Sequence, residues 1–466
     1  MKNIYILGVV GSIRSNHKNI NKLETLINDS LNSTQLNESI QKSKITYSNS
    51  DISIAHALLG AKIHGAKIKL ICITNIFSHS KMDIYANLLD YDTIDDIDNI
   101  DSLKIDEKSL HTLIQEVKES DGIILGTPVY FGDRSSIANK FLQLTQKHNI
   151  LSRKAFGAVS TGAKRNGGQE TANIYTLQEA MAQDAVVVGN GPKTSQYGGT
   201  VWAGDTGTAV NDDFGLETCY GVGRQVTQLA EILSLGAKKS ISKKLKVTFL
   251  LTMDTEDKKF ESKLQEYINK IDNEDVEISL YNLINDTIYR CIACNLCPSP
   301  KMMEKFKGDE YPYHCVVQTS KDNMKQVQDQ LVNSDCIVFV GVNSTDNLIY
   351  RYQAFMERTR FIRHDDFELT NIPAVGMLFN ELGATNNQIF NLKVLTSFIR
   401  HNTFFLKPID AVLHNEKLIY EDDFNKLIPI LKDIRSGRNQ INGMEISYKA
   451  TGYKYKQHDS TKKVRK

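Results

Sequence analysis

Four of the seven cysteines in this 466-residue chain lie within one short stretch of its second half. Two residues separate Cys291 from Cys294 and Cys294 from Cys297, and Cys315 follows 18 positions after Cys297. Thiolates so close in sequence repel one another unless cations share their charge, so the pattern predicts a metal site. Four cysteine ligands suit a [4Fe-4S] cluster. Zinc held by all four cysteines, or by three of them with His314, is the structural alternative, and free thiols are the third.

The other three cysteines, Cys72, Cys219 and Cys336, are scattered, and an odd total does not suit a disulfide framework. Cys336 falls inside an apolar run and is expected to be a buried small residue. We therefore expect a reducing, cytoplasmic setting. The N-terminal stretch MKNIYILGVVGS predicts a first strand rather than a signal peptide, and no apolar run has the length of a membrane span.

Composition narrows the class of partner. The chain is 41% hydrophobic and 24% charged with a formal net charge of +1, which describes a soluble globular protein. A net charge this small produces no strong positive electrostatic potential to attract nucleic acid or anionic lipid, so neither is expected as a partner. The length suits two domains, and the basic stretch at residues 436–466 is expected to be a solvated tail.

Continuous apolar runs alternate with helical patterns along the whole chain, which predicts parallel strands that are buried on both faces and connected by helices. In the first half the runs begin at Ile4, Ile68, Gly122, Lys154 and Ala185. In the second half they begin at Lys246, Val276, Asp335, Ile372 and Thr403.

One stretch shows the repeat residue by residue. The segment from Ser120 to Thr145 aligns without a gap on the segment from Ser334 to Thr359, and Ser-Asp opens both. The sequence therefore predicts an α/β fold of two doubly wound five-stranded parallel sheets in tandem. The expected domains are residues 1–236, with an insertion at about 15–47, and residues 245–435.

Three loops at the carboxyl ends of the first-half strands are candidates for ligand binding, because ligands gather at that edge in open α/β sheets. After the first strand, GSIR supplies Ser12 and Arg14. After the insertion, Ser48, Asn49 and Ser50 open a helix. Amides at a helix N-terminus and small hydroxyls can hold a phosphate. The alternative is that these three residues only cap the helix.

The loops after the third and fourth strands suit a flat ring. GTPVYFGDRSS sets an aromatic pair between a proline and a glycine, which makes a rigid apolar wall with exposed amides, although simple packing is the alternative. STGAKRNGGQET has glycines that let amides approach a ring edge. The candidate residues of these two loops are Thr127, Pro128, Val129, Tyr130, Phe131, Gly132, Ser160, Thr161, Gly162, Gly167 and Gly168. Trp202, farther on, is either a ring neighbour or part of a flexible surface loop.

These first-half motifs resemble those of the flavodoxin-like NADPH-dependent FMN reductases and the WrbA-type NADPH:quinone oxidoreductases. The resemblance implies that residues 1–236 form a flavodoxin-like domain that binds FMN. It implies a phosphate at Ser12, Arg14 and Ser48 to Ser50, and an isoalloxazine ring along Thr127 to Gly132. NAD(P)H is then a possible donor. Tyr130 and Arg134 are candidates for orienting substrate, and the alternative is that both are structural.

The second half lacks these loops. TMDTEDKKF places Asp254, Glu256 and Asp257 where the phosphate loop would be, and their charges would oppose a phosphate, so no FMN is expected there. The cysteine motif, followed by Asp322 at a helix start, resembles that of the iron-sulfur flavoproteins of the same superfamily. That resemblance implies a [4Fe-4S] cluster at the four cysteines. It also implies electron exchange with flavin across subunits, which a tandem chain would bring into one polypeptide. The 17 residues between Cys297 and Cys315 depart from the family spacing.

The leading hypothesis is an FMN-dependent oxidoreductase that couples flavin in the first domain to an iron-sulfur cluster in the second. The donor would be NAD(P)H or a reduced carrier protein, and the acceptor a quinone, an activated organic substrate or another protein. One alternative is an NAD(P)H:quinone or FMN reductase with a structural zinc. Another is a non-catalytic electron-transfer flavoprotein. The resemblance also implies a homo-oligomer, unless the duplication satisfies that interface internally.

Overall fold

The computed structural model describes residues 4–15, 17–77, 107–191, 194–239, 243–254, 258–272, 274–283, 287–294, 315, 317, 321–343, 350–363, 369–382, 389–415 and 417–441. The chain divides into two compact units. The first comprises Met1–Gly191 and Gln196–Glu231, and the second comprises Pro192–Ser195 and Ile232–Lys466. In the part of the chain described, no helix is both long and apolar enough to span a membrane.

The first unit alternates strands with helices. Its described strands are β1 (Tyr5–Val10), β2 (Lys67–Cys72), β3 (Gly122–Tyr130), β4 (Asp133–Arg134), β5 (Ala155–Gly162), β6 (Val186–Val187) and β7 (Gly199–Trp202). Its helices are α1 (His17–Asp29), α2 (Ser33–Lys42), α3 (Asn49–Ile63), α4 (Thr74–Phe77), α5 (Glu107–Glu119), α6 (Ser136–His148), α7 (Gln169–Ala182) and α8 (Asp213–Gly236), whose last turn belongs to the second unit. A 3-10 helix covers Thr208–Asn211.

The strands of this unit form a parallel sheet in the order β2-β1-β3-β5-β6. The fifth position is interrupted, because β6 pairs with the start of β5 and β7 with its end. Strand β5 is buried throughout, β1 is buried except at Tyr5, and β3 is buried from Gly122 to Thr127, which explains their continuously apolar sequences. The winding reverses between β1 and β3, so the loops after β1, β3 and β5 lie at the edge where such sheets bind ligands.

The predicted insertion folds as two helices, α1 and α2. Glu24 of α1 accepts a hydrogen bond from the backbone amide of Leu70 in the outer strand β2, at 2.7 Å. Lys62 of α3 donates to the carbonyl of Ser30 at 2.8 Å, and His56 of α3 bonds Asn37 of α2 at 2.9 Å. The insertion therefore covers the strand that would otherwise leave an open sheet edge.

The second unit repeats the pattern. Its described strands are β8 (Leu245–Leu251), β9 (Val276–Asn282), β10 (Cys336–Asn343), β11 (Pro373–Glu381), β12 (Phe404–Phe405), β13 (Ile409–His414) and β14 (Lys417–Glu421). Its helices are α9 (Lys259–Ile268), α10 (Met324–Val332), α11 (Tyr350–Arg358), α12 (Ile389–Phe398) and α13 (Ile428–Ile441), with 3-10 helices at Thr359–Arg363, Ile399–His401 and Phe424–Leu427.

The parallel strands of this unit run in the order β9-β8-β10-β11-β12, which is the order of the first unit. The fifth position is again interrupted, because β12 pairs with the start of β11 and β13 with its end. The antiparallel strand β14 extends β13. The observed fold is thus α/β with largely parallel sheets, as predicted.

A matching contact recurs where the gapless alignment places Asp121 opposite Asp335. The Asp121 carboxylate accepts from the amide of Tyr5 at 2.9 Å, and the Asp121 amide donates to the Tyr5 carbonyl at 2.8 Å. Asp335 makes the same two bonds with Lys246, at 2.8 and 2.7 Å. This recurrence favours the tandem duplication, which stays a prediction.

The last helix extends beyond the position at which the sequence predicts a basic tail. Helix α13 continues to Ile441, so residues 436–441 are helical. A β-carbon on Gly437 would lie 1.9 Å from the carbonyl oxygen of Ile232, so this helix packs too closely there for any other residue. The start of the tail at 436 is therefore corrected to a later position, and residues 442–466 lie outside the described residues.

Candidate functional site

The first loop and the N-terminus of α3 lie together at the carboxyl edge of β1. The Ser15 hydroxyl bonds the Asp51 carboxylate and lies 3.2 Å from the Ser48 hydroxyl. Ser48 is the N-cap of α3: its hydroxyl accepts from the Asp51 amide at 3.1 Å, and the Asp51 carboxylate accepts from the Ser48 amide at 2.9 Å. This is a capping box. The Ser48 side chain therefore serves as a helix cap.

Asp51 is a functional candidate that the sequence analysis missed. It is buried beneath the first turn of α3. Burial raises the pKa of the Asp51 carboxyl to about 6, even though hydrogen bonds from Ser15 and Ser48 oppose the shift. The spacing Ser48-x-x-Asp51 before an apolar helix was the available signal.

Arg14 and Asn49, both predicted to bind phosphate, contact a segment that follows β7. The exposed Arg14 donates to the Thr206 hydroxyl at 2.9 Å. The Asn49 side chain donates to the carbonyl of Asp205 at 2.7 Å and accepts from the amide of Ala209 at 3.1 Å. The segment 205–209 therefore lies against the predicted phosphate loop, which sequence reasoning did not anticipate.

Ser12 and Ser50 are both buried. The Ser12 carbonyl accepts from the amide of Ser15 at 2.9 Å and from the hydroxyl of Thr74 at 2.6 Å. These bonds hold the loop after β1 in a tight turn.

The aromatic wall forms the turn of a two-strand hairpin. Val129 pairs with Arg134 and Tyr130 with Asp133, which leaves Phe131 and Gly132 as the two-residue loop. Their φ angles are +50° and +82°. Two-residue hairpin loops with positive φ at both positions match the twist of the strands, but they favour asparagine and glycine. Phe131 is unusual here because it is a bulky residue with a positive φ and because its large apolar side chain is fully exposed.

Ser135 ties this hairpin to the first loop. Its hydroxyl donates to the carbonyl of Gly11 at 2.6 Å, and its amide donates to the Thr127 hydroxyl at 3.0 Å. Ser135 is also the N-cap of α6. The Thr127 side chain therefore supports the loop from below, while Tyr130 is 53% exposed at its tip.

Arg134 is buried between two carboxylates. It pairs with Asp133 at 3.3 Å and with Glu179 of α7. These contacts attach β4 to α7, so of the two roles considered for Arg134 the geometry favours the structural one.

The loop after β5 is organised by Gln169. The Gln169 side chain accepts from the amide of Gly167 at 2.8 Å and donates to the carbonyls of Lys164 at 2.6 Å and Val201 at 3.2 Å. Gly168 has a φ of +96°, and a β-carbon there would lie 2.6 Å from the Cα of Gly132. The two predicted ring-binding loops are thus in direct backbone contact.

The hydroxyls of Ser160 and Thr161 point into the protein. Ser160 donates to the carbonyl of Gln169 at 2.8 Å, and Thr161 lies 2.8 Å from the hydroxyl of Ser53 in α3. Gly162 lies against the Gln169 side chain. At these strand positions only the backbone is available to a ligand.

Trp202 is held at the end of β7, beside the end of β5. Its indole nitrogen donates to the carbonyl of Ala163 at 3.0 Å, and the guanidinium of Arg165 lies 5.5 Å from the ring centroid. The buried Asp212 accepts from the Trp202 amide at 2.7 Å and from Arg165 at 2.7 Å. Trp202 remains half exposed, in a fixed setting.

In the second unit, the equivalent helix N-terminus is filled by the chain itself. The Asp254 carboxylate accepts from the amides of Phe260 at 2.8 Å and Glu261 at 3.1 Å. It also accepts from the Asn282 side chain at 2.8 Å. Because these amides already have an anion, the arrangement favours the expectation that no phosphate binds there. Glu256 and Asp257 lie outside the described residues.

Three of the four clustered cysteines are described, namely Cys291, Cys294 and Cys315, and each is half-buried. The Cys291 sulfur accepts a hydrogen bond from the amide of Ala293 at 3.4 Å. Cys297 and His314 lie outside the described residues. Among those that are described, no group of three or more His, Cys, Asp or Glu is close enough to hold a metal ion. Cysteine sulfur is a soft metal ligand, and a sulfur that accepts a hydrogen bond from a backbone amide suits iron-sulfur or zinc binding.

Cys336 is fully buried in β10, and burial raises the pKa of its thiol. It therefore lies in the strand interior where the sequence placed it. Cys72 and Cys219 are also buried.

Comparison with known proteins places these features in a family. The family described as NADPH-dependent FMN reductase matches residues 43–196. An iron-sulfur flavoprotein from Methanocaldococcus jannaschii is 36% identical over 143 residues, which is 30% of this chain and 67% of that protein. An NAD(P)H dehydrogenase (quinone) from Archaeoglobus fulgidus is 26% identical over 122 residues, 26% of this chain and 64% of that protein. The chain thus spans about two thirds of the length of each relative.

Among solved structures, a flavodoxin, WrbA-like protein from Agrobacterium tumefaciens covers 49% of this chain and 98% of its own, with 14% identity. The TM-score is 0.28.

The doubly wound sheet, with aromatic and glycine-rich loops at its carboxyl edge, defines a flavodoxin-like oxidoreductase of the flavin-dependent class. Within that class, the chain belongs to the family of NADPH-dependent FMN reductases and iron-sulfur flavoproteins.

Proposed function

We propose that the chain is an FMN-dependent NAD(P)H oxidoreductase that couples flavin in residues 1–236 to an iron-sulfur cluster in residues 245–435. When bound, FMN would provide the chemistry of accepting a hydride and releasing electrons one at a time. The proposed cluster ligands are Cys291, Cys294, Cys297 and Cys315. The two domains would derive from one duplicated flavodoxin-like unit.

The hairpin turn at Phe131 and Gly132 carries this proposal. It combines a solvent-exposed aromatic ring with a left-handed backbone, at the edge of the sheet where ligands bind. Backbone strain at a bulky residue persists only where the surrounding structure imposes it, and such positions concentrate at ligand sites. The turn also contacts Gly168 of the neighbouring loop, so the two walls of the proposed ring site are fixed relative to each other.

The remaining first-unit residues take roles that follow from their contacts. Backbone amides at the N-terminus of α3, with Arg14 as the nearby positive charge, would hold the FMN phosphate. Tyr130, Phe131 and Trp202 would line the ring and exclude water, and backbone amides near Gly167 and Gly168 would face its polar edge. Ser48, Ser160 and Thr161 would support the loops from inside rather than touch the ring.

The acceptor proposed is a quinone or another flat organic molecule. One of the relatives above carries the name NAD(P)H dehydrogenase (quinone). The exposed aromatic side chains of the first unit offer a surface on which such a ring can stack. A carrier protein is the alternative acceptor for electrons that leave by the cluster.

The metal assignment is tested by anaerobic purification, followed by an absorption spectrum and analysis of iron, sulfide and zinc. Flavin bands with a broad brown shoulder, one FMN per chain, and iron with sulfide are expected. Zinc without sulfide would leave a reductase with a structural metal. The variant Cys291→Ser should lose iron, whereas Cys336→Ala, in which a buried thiol outside the cluster is changed, should retain it.

The catalytic assignment is tested separately by steady-state turnover with NAD(P)H and a quinone. Rapid turnover supports an enzyme. Reduction of the flavin without turnover would instead indicate an electron carrier. A chain that binds no FMN after reconstitution would overturn the proposal.

A further inference from the structure

A buried arginine in the second unit joins the two chain segments that carry the described cysteines. Arg358 is the last residue of α11. The side chains of Arg358 and Asp322 are almost fully buried, at 1% and 3% exposure. The guanidinium donates to the Asp322 carboxylate from Nη2 at 2.7 Å and from Nη1 at 3.3 Å.

The same guanidinium bonds one backbone carbonyl in each cysteine segment. Nη1 donates to the carbonyl of Tyr289 at 2.9 Å, and Nη2 donates to the carbonyl of Val317 at 3.1 Å. Tyr289 stands two residues before Cys291, and Val317 stands two residues after Cys315. We call these contacts the Arg358 network.

Two backbone bonds complete the Arg358 network. The amide of Tyr289 donates to the Asp322 carboxylate at 3.3 Å, and the amide of Asn323 donates to the carbonyl of Thr287 at 2.9 Å. Only the planar, five-donor fork of arginine matches a carboxylate and two carbonyls at once, because lysine has a flexible point charge with three donors.

The fold itself does not require an arginine at this position. The gapless alignment of the two units places Leu144, which is half-buried, opposite Arg358. The first unit thus has the same strand order with an apolar residue there. Burying a charge is costly unless it is paired and hydrogen-bonded. Here the compensating partners are Asp322 and the two segments that bear the cysteines.

Arg358 also keeps its charge beside a cysteine. Burial alone would lower the pKa of Arg358, but the hydrogen bond to Asp322 and the proximity of Cys315 raise it above its ordinary value.

We propose that Arg358 is a positioning residue for a thiolate-bound metal: it joins the segments of Cys291 and Cys315 before the metal binds. This inference rests on the proposed function, which assigns a metal to these cysteines. It adds the residue that preassembles the site. Residues that orient metal ligands typically change metal affinity by about 10–100-fold when they are replaced.

The test compares three variants with the wild-type chain. The double variant R358M/D322N removes the Arg358 network without leaving an unpaired buried charge. The variant R358K keeps the charge but cannot bond both carbonyls. The control R360K alters an exposed arginine two residues away. Circular dichroism establishes that each chain is folded.

Two measurements are made on each chain. In the metal-free protein, hydrogen exchange is followed at the amides of Tyr289 and Asn323. Cobalt(II) is then titrated anaerobically, and thiolate-to-cobalt absorption is recorded per bound metal. Wild type and R360K should protect both amides and bind alike. R358M/D322N should lose that protection, bind cobalt about 10–100-fold more weakly and show less thiolate absorption per metal. R358K should fall between them.

The outcomes separate this role from the proposed function. A wild-type chain that protects the two amides yet binds no cobalt overturns the metal assignment, and the positioning role with it. A wild type that binds cobalt while R358M/D322N and R358K bind equally tightly overturns the positioning role alone. If R358M/D322N does not fold, R358K decides, because unchanged affinity and absorption in that folded variant also overturn the role.

Discussion

Replacing Phe131 with asparagine is expected to stabilise the protein and to weaken ligand binding at the same time. Phe131 and Gly132 have φ angles of +50° and +82° and form the two-residue turn between β3 and β4. At such φ values a β-carbon crowds the following carbonyl oxygen, which asparagine tolerates better than a bulky residue. Phenylalanine is therefore held in a conformation it does not favour.

The sizes of both effects follow from the structure. The left-handed conformation costs an ordinary residue about 1–2 kcal/mol, and asparagine recovers part of this. The Phe131 side chain is fully exposed, so its loss removes no buried apolar surface. We therefore expect Phe131→Asn to raise the free energy of unfolding by about 1 kcal/mol. An aromatic contact with a bound ring contributes about 0.5–1.5 kcal/mol, so the Kd for FMN or the KM for a quinone should rise about two- to tenfold.

The assay pairs urea denaturation of the flavin-free protein with FMN titration and quinone kinetics. Lys258→Asn serves as the matched control, because Lys258 has a φ of +58° at the start of α9, in the second unit. It should stabilise the protein without changing FMN or quinone binding. A less stable Phe131→Asn variant would refute the strain argument. A more stable variant with unchanged Kd and KM would refute the assignment of Phe131 to the ring site.

Two further predictions concern the first unit. Gly168→Ala should lower the free energy of unfolding more than Gly65→Ala. Both glycines have φ above +90°, so the backbone strain is similar. A β-carbon at position 168 would lie 2.6 Å from the Cα of Gly132, whereas a β-carbon at position 65 would meet nothing within 4 Å. Equal losses in urea midpoint would contradict the contact between the two loops. Between pH 4 and 6, Asp51 and His56 should have opposite effects on the pH dependence of the free energy of unfolding. Burial raises the pKa of Asp51 to about 6, so the stability that protonated Asp51 contributes to the free energy of unfolding is lost as the pH rises through 6. Burial lowers the pKa of His56 to about 3, so the stability that neutral His56 contributes is lost as the pH falls from about 6.5 towards 3. Asp51→Asn should therefore lose about 2 kcal/mol more than wild type on going from pH 6 to 4, and His56→Gln should change in the opposite sense. Parallel pH profiles of the urea midpoints in all three chains would exclude this.

The main strands were predictable because burial on both faces imposes continuous apolar runs. Each of the ten runs contains an observed strand, although β6 and β12 have only two residues each. The short strands β4, β7 and β13 were not predicted. They pair at the ends of longer strands, so their position depends on tertiary contacts rather than on local sequence.

The loops were predictable from glycine, proline and aromatic residues, but the direction of each hydroxyl was not. Ser160 and Thr161 bond Gln169 and Ser53 inside the unit. A serine or threonine at the end of a buried strand fits a ligand contact and an internal bond equally well at the level of sequence. The Gln169 side chain bonds Gly167 and Lys164 in its own loop and also Val201 of β7, and the contact to β7 could not be read from the local sequence.

An aspartate carboxylate caps the equivalent helix N-terminus in both units, but it occupies different amides in each. A helix N-terminus has unpaired amides and attracts negative charge. In the second unit, Asp254 comes from the loop before α9 and accepts from the amides of Phe260 and Glu261. In the first unit, Asp51 lies inside α3 and its carboxylate turns back to Ser48 and Ser15. A phosphate in the second unit would therefore have to displace the Asp254 carboxylate. In the first unit the capping box already occupies the amides of Ser48 and Asp51, so a phosphate there would have to bind the amides of Asn49 and Ser50.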